Sequence, residues 1–364
     1  MKRFCLLALC LSLVSSVGFA KISARKSKTL KMPKSLSAKN CEYSFINTKE
    51  ETILSSELNK YYDLGWFSEG YAPVKVGEKW GYIDKMGKPV IDAKYDKVDI
   101  FSDGFAPVKI GKKWGYIDKT GKLAIDAKYD DARTFSEGLA AVKRGSLWGF
   151  VNDEKTEIIP PNYSSVNDFS EGFASVTLLK TGQAAFIDKV GTVFITFKNG
   201  EKPVAFTDGI AVFNNGFIDK NKKTTSLQNT FYSYLGFFGD GLAPVKVLKK
   251  KIYTPITPDD KYGFIDKDLV LRIPDNYDDA GCFSNGFASV KIGKKWGFIN
   301  KQGEQVVQAA YDEVGDFFSS GLAVVRIGKK YGFVNETGVH VINIVYDWAS
   351  DFSDGLALVT TCTK

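Results

Sequence analysis

Few residues in this sequence could do covalent chemistry, and their spacing points elsewhere. Nucleophilic catalysis of the triad type needs a histidine or an equivalent base. The single histidine, His340, lies in the run Val339–Ile344, where alternation puts it on a strand surface. Carboxylates are plentiful enough for a glycosidase pair. Yet Asp84, Asp118, Asp188, Asp219 and Asp266 fall on one recurring position, which Asn47, Asn152, Asn300 and Asn335 fill elsewhere. An Asp/Asn alternation suits a side-chain oxygen capping a turn, not proton transfer. No Cys/His cluster has metal-ligand spacing, and there is no P-loop, GxGxxG after a strand or EF-hand pattern. The expectation is a protein that is not an enzyme, without catalytic residues, cofactor or metal.

Binding is the chemistry that remains. An aromatic run, Phe231–Phe238 (FYSYLGFF), precedes a basic, proline-containing insertion, Val247–Asp260 (VLKKKIYTPITPDD). Together they offer Phe231, Tyr232, Tyr234, Lys249, Lys250, Lys251 and Tyr253 as candidate contacts. An insertion in one repeat costs little loop-closure entropy and commonly lies on a functional face; drift in a loop leaves the same pattern.

The elements that must position these residues come from a repeat. Trp80–Lys113 and Trp114–Leu147 align without gaps and are identical at 21 of 34 positions. Two landmarks recur nine times each. One is an aromatic-Gly pair, with Trp80, Trp114, Trp148, Tyr262, Trp296 and Tyr331 as its aromatic members; the other is a Phe-Ser-x-Gly turn. In the middle the copies weaken: Ala184 and Asn215 replace the tryptophan, and Phe206 stands only 9 residues before Asn215. Each unit divides into about four short segments bounded by Gly, Asp and Asn, which predicts strands and no helix. Pro73, Pro107 and Pro244 remove a ladder donor and so suit an edge or a strand start. Glycine beside tryptophan implies that a ring or backbone of a neighbouring unit comes too close for a Cβ. The tryptophans read as core stacks of the repeat, not as exposed sugar platforms.

The Lys-Trp-Gly-Tyr-Ile-Asp runs at 79–84 and 113–118, with Lys295–Asn300 and the Phe-Ser-x-Gly turns, resemble the WG-repeat (KWG) family. This is a bacterial repeat often found in exported proteins. The resemblance covers about 43–359 and implies an all-β repeat fold with no assigned activity and no catalytic residues.

One unit cannot bury its own apolar face, so nine units of about 34 residues must stack. The preferred architecture is a closed propeller-like ring, with an open β-solenoid as the alternative. Alignment of the termini favours the ring, because Cys362 falls at the position of Gly111 and Cys41 at that of Lys112. In a ring, the strand at 355–359 pairs with that at 43–47 and the two cysteines meet. Such a disulfide could stabilise by about 4–5 kcal/mol. The third cysteine outside the N-terminal stretch, Cys282, reads as a small core residue.

Residues 1–20 read as a signal peptide, with Lys2 and Arg3 before an apolar run and Gly18-Phe19-Ala20 as a cleavage site. A membrane anchor and lipidation at Cys10 are the alternatives. Residues 21–40 hold six Lys, one Arg and no acid, and form a basic, disordered leader. An alternative role for it is weak contact with an anionic surface. Without these charges and Lys2 and Arg3, residues 41–364, taken as one repeat domain, hold 40 basic and 42 acidic residues. That balance, with export, argues against a nucleic-acid partner. The expectation is therefore an exported protein, periplasmic, cell-surface or secreted. It would act as a scaffold or binding protein for a protein or cell-envelope glycan. The alternative is a carbohydrate-active enzyme or glycan-binding module with its site in the degenerate middle repeats.

Overall fold

Alternating apolar residues bounded by Gly, Asp and Asn turns produce four short strands per repeat. The computed structural model describes residues 41–363 except 56, 57, 59, 62, 199, 215, 229, 249–259, 316 and 317. The signal peptide, Cys10 and the basic leader lie outside the described residues, among which there is no α-helix. The strands form nine four-stranded antiparallel blades. The Trp114 blade is typical, with Lys97–Val98, Phe105–Ile110, Lys113–Asp118 and Leu123–Tyr129 in that order. The long strand Glu157–Val166 closes the Trp148 blade and opens the next, which joins those two blades in one seven-stranded sheet. The blade frame is offset from the sequence repeat: each Trp-to-Trp unit gives two strands to one blade and two to the next.

The chain divides into two compact units. One comprises the described residues through Ala205 together with those from Asp347 onward and holds five blades; the other, Phe206–Tyr346, holds four. In the first unit, both ends of the chain build a single blade, in the order Thr52–Leu54, Cys41–Ile46, Ala357–Cys362, Trp348–Ala349. The register runs from Cys41 opposite Cys362 to Ile46 opposite Ala357, and the two cysteines form a disulfide. The Cys362 N–H donates to Asp347 at 2.8 Å, as the hairpin Gly111 N–H donates to Asp96 at 2.6 Å. Cys362 thus occupies the place of the hairpin glycine. Ends that complete one another's sheet are expected of the propeller-like fold and not of an open solenoid. Cys282 is only partly buried, so it is not the core residue expected from the sequence.

Blades pack face to face, so the central strands are buried on both sides. In Lys113–Asp118, both Tyr116 and Ile117 are fully buried although they point to opposite faces. The aromatic residue after Trp-Gly meets the Phe of the next Phe-Ser-x-Gly turn. Ring centroids lie 5.0 Å apart for Tyr82–Phe101 and Tyr116–Phe135, and 4.9 Å for Phe150–Phe169 and Phe264–Phe283. The hydroxyls of Tyr82 and Tyr116 also donate to the next blade, to the carbonyls of Asp99 and Arg133, at 2.7 Å each.

Two sequence expectations are corrected. The glycine beside tryptophan is pressed by its own blade, not by a neighbouring unit. Trp114 opposes Tyr129 while Tyr116 opposes Ile125, so two extra residues bulge from the fourth strand. The bulge folds over Gly115, whose Cβ would come 2.5 Å from the Ile125 oxygen. The prolines, in turn, sit on inner strands. The Pro73 carbonyl accepts from the Gly65 N–H at 2.8 Å, and its missing donor would point to the same side. The edge strand there, Asp63–Leu64, has already ended, so no ladder bond is lost.

Phe135→Ala should cost about 3–5 kcal/mol through a cavity at a blade seam. Gly115→Ala should cost about 1–3 kcal/mol through overpacking under the bulge. Urea unfolding midpoints check both, against an exposed control such as Lys112→Ala, which should move little. Cys362→Ser opens a loop spanning 321 residues. It should lose about 5 kcal/mol by the chain-entropy model, and a midpoint equal to that of the oxidised protein would assign closure to the ladder alone.

Candidate functional site

Most of the described acidic residues are engaged in holding the fold. Asp84 Oδ1 accepts the N–H groups of Met86 and Lys88 at 2.9 Å each, and Asn335 Oδ1 caps Thr337 and Val339 in the same way. The Asp/Asn position is therefore a turn cap. A second series bridges blades. Lys79 pairs with Asp96 at 2.5 Å, and the other Asp96 oxygen accepts the Gly111 N–H of the next hairpin. Lys113–Asp130 and Lys295–Asp312 repeat this arrangement at 2.6 and 2.7 Å. The lysine hydrogen bond, then the glycine N–H, holds the Asp96, Asp130 and Asp312 carboxyls below their ordinary range. Burial pushes the Asp168 and Asp279 carboxyls up, but each faces cations that pull it back: Arg133 for Asp168, and Lys291 and Lys246 for Asp279.

The aromatic members of the Trp-Gly pairs are framed by their own blade. Trp114 lies between Lys109 and Tyr129 on the ladder, with the Lys109 ammonium 6.0 Å from the indole centroid. Arg133 and Lys143 flank Trp148 at 5.0 and 5.7 Å, Lys291 covers Trp296 at 5.7 Å, and Lys246 and Arg326 cover Tyr262 and Tyr331 at 5.4 and 5.9 Å. Trp80 and Trp148 are 9% exposed, while Trp114, Trp296, Tyr262 and Tyr331 are half-buried. Cation–π partners on these rings compete with a sugar for the same faces. His340 is exposed on its strand and bonds through Nε2 to the Tyr311 hydroxyl at 2.8 Å. Among the described residues, no group of His, Cys, Asp or Glu could hold a metal ion.

The binding candidates do not form one patch. Phe231 is 52% exposed and its carbonyl accepts the Leu248 N–H at 2.7 Å, so it marks the stem of the insertion. Tyr232 donates its hydroxyl to the Leu269 carbonyl at 3.3 Å, and Tyr234 pairs with Lys246 on the ladder. Lys249, Lys250, Lys251 and Tyr253 lie outside the described residues. At the other end of the strand Ala243–Val247, roughly 13 Å away at about 3.3 Å per residue, is a feature that the sequence reading missed.

Elsewhere, at Ser68-Glu69, Ser136-Glu137 and Ser353-Asp354, three contacts tie one Phe-Ser-x-Gly turn to the next blade. The serine donates to the next Phe carbonyl, as in Ser68–Phe101 at 2.7 Å and Ser136–Phe169 at 2.8 Å. The turn acid accepts the next glycine N–H, as in Glu69–Gly104 at 3.1 Å. The next blade's lysine reaches the same acid, as in Lys119–Glu69 at 3.1 Å and Lys189–Glu137 at 3.4 Å. Between the blade at 206–226 and the Tyr262 blade, only the N–H contact persists, from Gly241 to Asp208. Thr207 replaces the serine, and its buried hydroxyl has no partner. Lys267, at the place of Lys119, enters no ion pair among the described residues.

The loosened seam opens a cleft of about 340 Å³, floored by Ile210, Phe217 and Phe238 and rimmed by Lys223, Lys267 and Asp219. Its cause is the stunted blade, whose fourth strand, Thr224–Ser226, has three residues where Leu123–Tyr129 has seven. The short spacing after Phe206 marks the shortened second and third strands, Ile210–Phe213 and Gly216–Asp219, and not the fourth.

The sequence matches the family described as WG containing repeat at residues 43–80, 80–114, 114–148, 148–178, 262–296, 296–331 and 331–361. The chain belongs to the WG-containing repeat family. The unmatched stretch, 179–261, includes the stunted blade and the insertion. None of the curated proteins matches the sequence. Among solved structures, the crystal structure of the eukaryotic initiation factor superposes with a TM-score of 0.54 at 10% identity, over 83% of this chain and 95% of that one. BamB from Moraxella catarrhalis gives 0.37 at 11% identity, over 82% of this chain and 90% of that one. Likeness at such identity concerns the fold alone.

The bridging aspartates predict a pH response. A carboxyl held below its ordinary 3.8 when folded stabilises above that value, and the gain is lost as pH falls through the depressed value. Acid titration followed by tryptophan fluorescence should show loss of structure beginning below about pH 4. Asp96→Asn with Asp130→Asn should lower stability at pH 7 and flatten that acid limb. A limb of unchanged steepness would remove the bridges from the explanation.

Proposed function

We propose that this protein is a non-enzymatic binding and scaffold protein that works outside the cytoplasm and presents its repeat surface to a protein or glycan of the cell envelope. The observation carrying this reading is the deployment of polar groups. The repeated carboxylates serve turn caps and blade-to-blade bridges, whereas 179–261 departs from the repeat, and a cleft and an exposed insertion stem lie within 206–268. The Cys41–Cys362 disulfide supports an oxidising compartment.

The test is capture from envelope extract with the oxidised mature chain. Three baits are compared: wild type, a deletion of 248–260, and Lys223→Gln with Lys267→Gln. Wild type should enrich a partner over an unrelated exported protein, and at least one altered bait should lose about 90% of it. No enrichment by wild type would end the binding reading. Incubation with envelope glycans should release no new reducing ends, and their appearance would restore the carbohydrate-active alternative.

A further inference from the structure

The cleft beside the stunted blade has an uneven supply of unused hydrogen-bonding groups. Two of its three acids are engaged, while Asp268 is exposed: Asp208 holds the Gly241 N–H, and Asp219 Oδ1 accepts the N–H groups of Asn221 and Lys223 at 2.9 Å each. Its donors are not. The ammonium groups of Lys223 and Lys267 enter no ion pair among the described residues, and the Thr207 hydroxyl, one residue behind Asp208, is buried without a partner. The volume of about 340 Å³ suits one sugar residue or a dipeptide end, and the floor of Ile210, Phe217 and Phe238 suits its less polar face.

We propose that this cleft binds a small ligand through a carboxylate, carried by an acidic sugar or by a peptide C-terminus, with Lys267 and Lys223 as its charged contacts. The proposal deepens the binding role above and rests on it. Acids on the same rim keep the local charge near balance, so the cleft should select a single carboxylate beside hydroxyls or amides over polyanions in general.

Calorimetric titration of the oxidised mature chain with paired probes tests this. D-galacturonate is set against D-galactose, and N-acetyl-Ala-Ala against its C-terminal amide. In at least one pair the carboxylate should bind at least about tenfold more tightly than its neutral counterpart, as expected for a charge-assisted hydrogen bond. The pair that responds identifies the source of the carboxylate. Lys267→Gln should weaken binding about fivefold to tenfold, the double variant with Lys223→Gln should abolish it, and Lys49→Gln should leave it unchanged. Both cleft lysines are exposed, so the variants should keep the wild-type unfolding midpoint. Equal binding of acid and neutral probes, no binding by either acid, or a double variant that binds like wild type would each overturn the proposal. Envelope capture that persists with the double variant but fails without 248–260 would preserve the binding role and reject the cleft alone.

Discussion

The structure depends on one repeated contact: the phenylalanine of each Phe-Ser-x-Gly turn against the aromatic ring that follows Trp-Gly in the blade before. Phe67, Phe101, Phe135 and Phe169 are essentially inaccessible, and each lies about 5 Å from such a ring. Each pair buries two large apolar side chains and adds about 0.5–1.5 kcal/mol for its edge-on geometry. A four-stranded blade has two apolar faces and no core of its own, so these contacts between blades are where the hydrophobic stabilisation accumulates.

Polar contacts give the apolar stack its register. The turn residue before each glycine takes a left-handed conformation, with φ of 53° at Glu69, 51° at Asp103 and 56° at Glu137. That conformation costs a non-glycine residue about 1–2 kcal/mol. It aims the side chain at the next blade, where glycine N–H and lysine receive it. The aspartates after the fourth strand do the same between neighbouring hairpins. Acidic residues that are numerous enough to suggest hydrolysis thus serve as joints. Beside Thr207 and Lys267 the joint keeps only its N–H contact, and a cleft lies there.

The composite blade shows how far local rules reach. Cys362 donates its N–H to Asp347 as a hairpin glycine does to its aspartate, so the chain break sits inside an ordinary hairpin site. The disulfide then replaces the peptide link that other blades have between their second and third strands.

Strand content, the number of units, the capping role of the Asp/Asn position and the meeting of Cys41 with Cys362 were legible in the sequence. Each follows from local turn chemistry or from alignment of one copy with another. Three features were not. The bulge over Gly115 is a relation between two strands, and glycine alone reports that something is close without saying what. The prolines' place on inner strands depends on how short the neighbouring edge strand is. The separation of Phe231 from the cleft depends on which end of a strand each residue occupies, and sequence distance does not encode that. The repeat by itself determined the blade and its joints, because both are written in every copy. Only the tertiary structure decided where a joint is missing, because a vacancy between blades belongs to two copies at once.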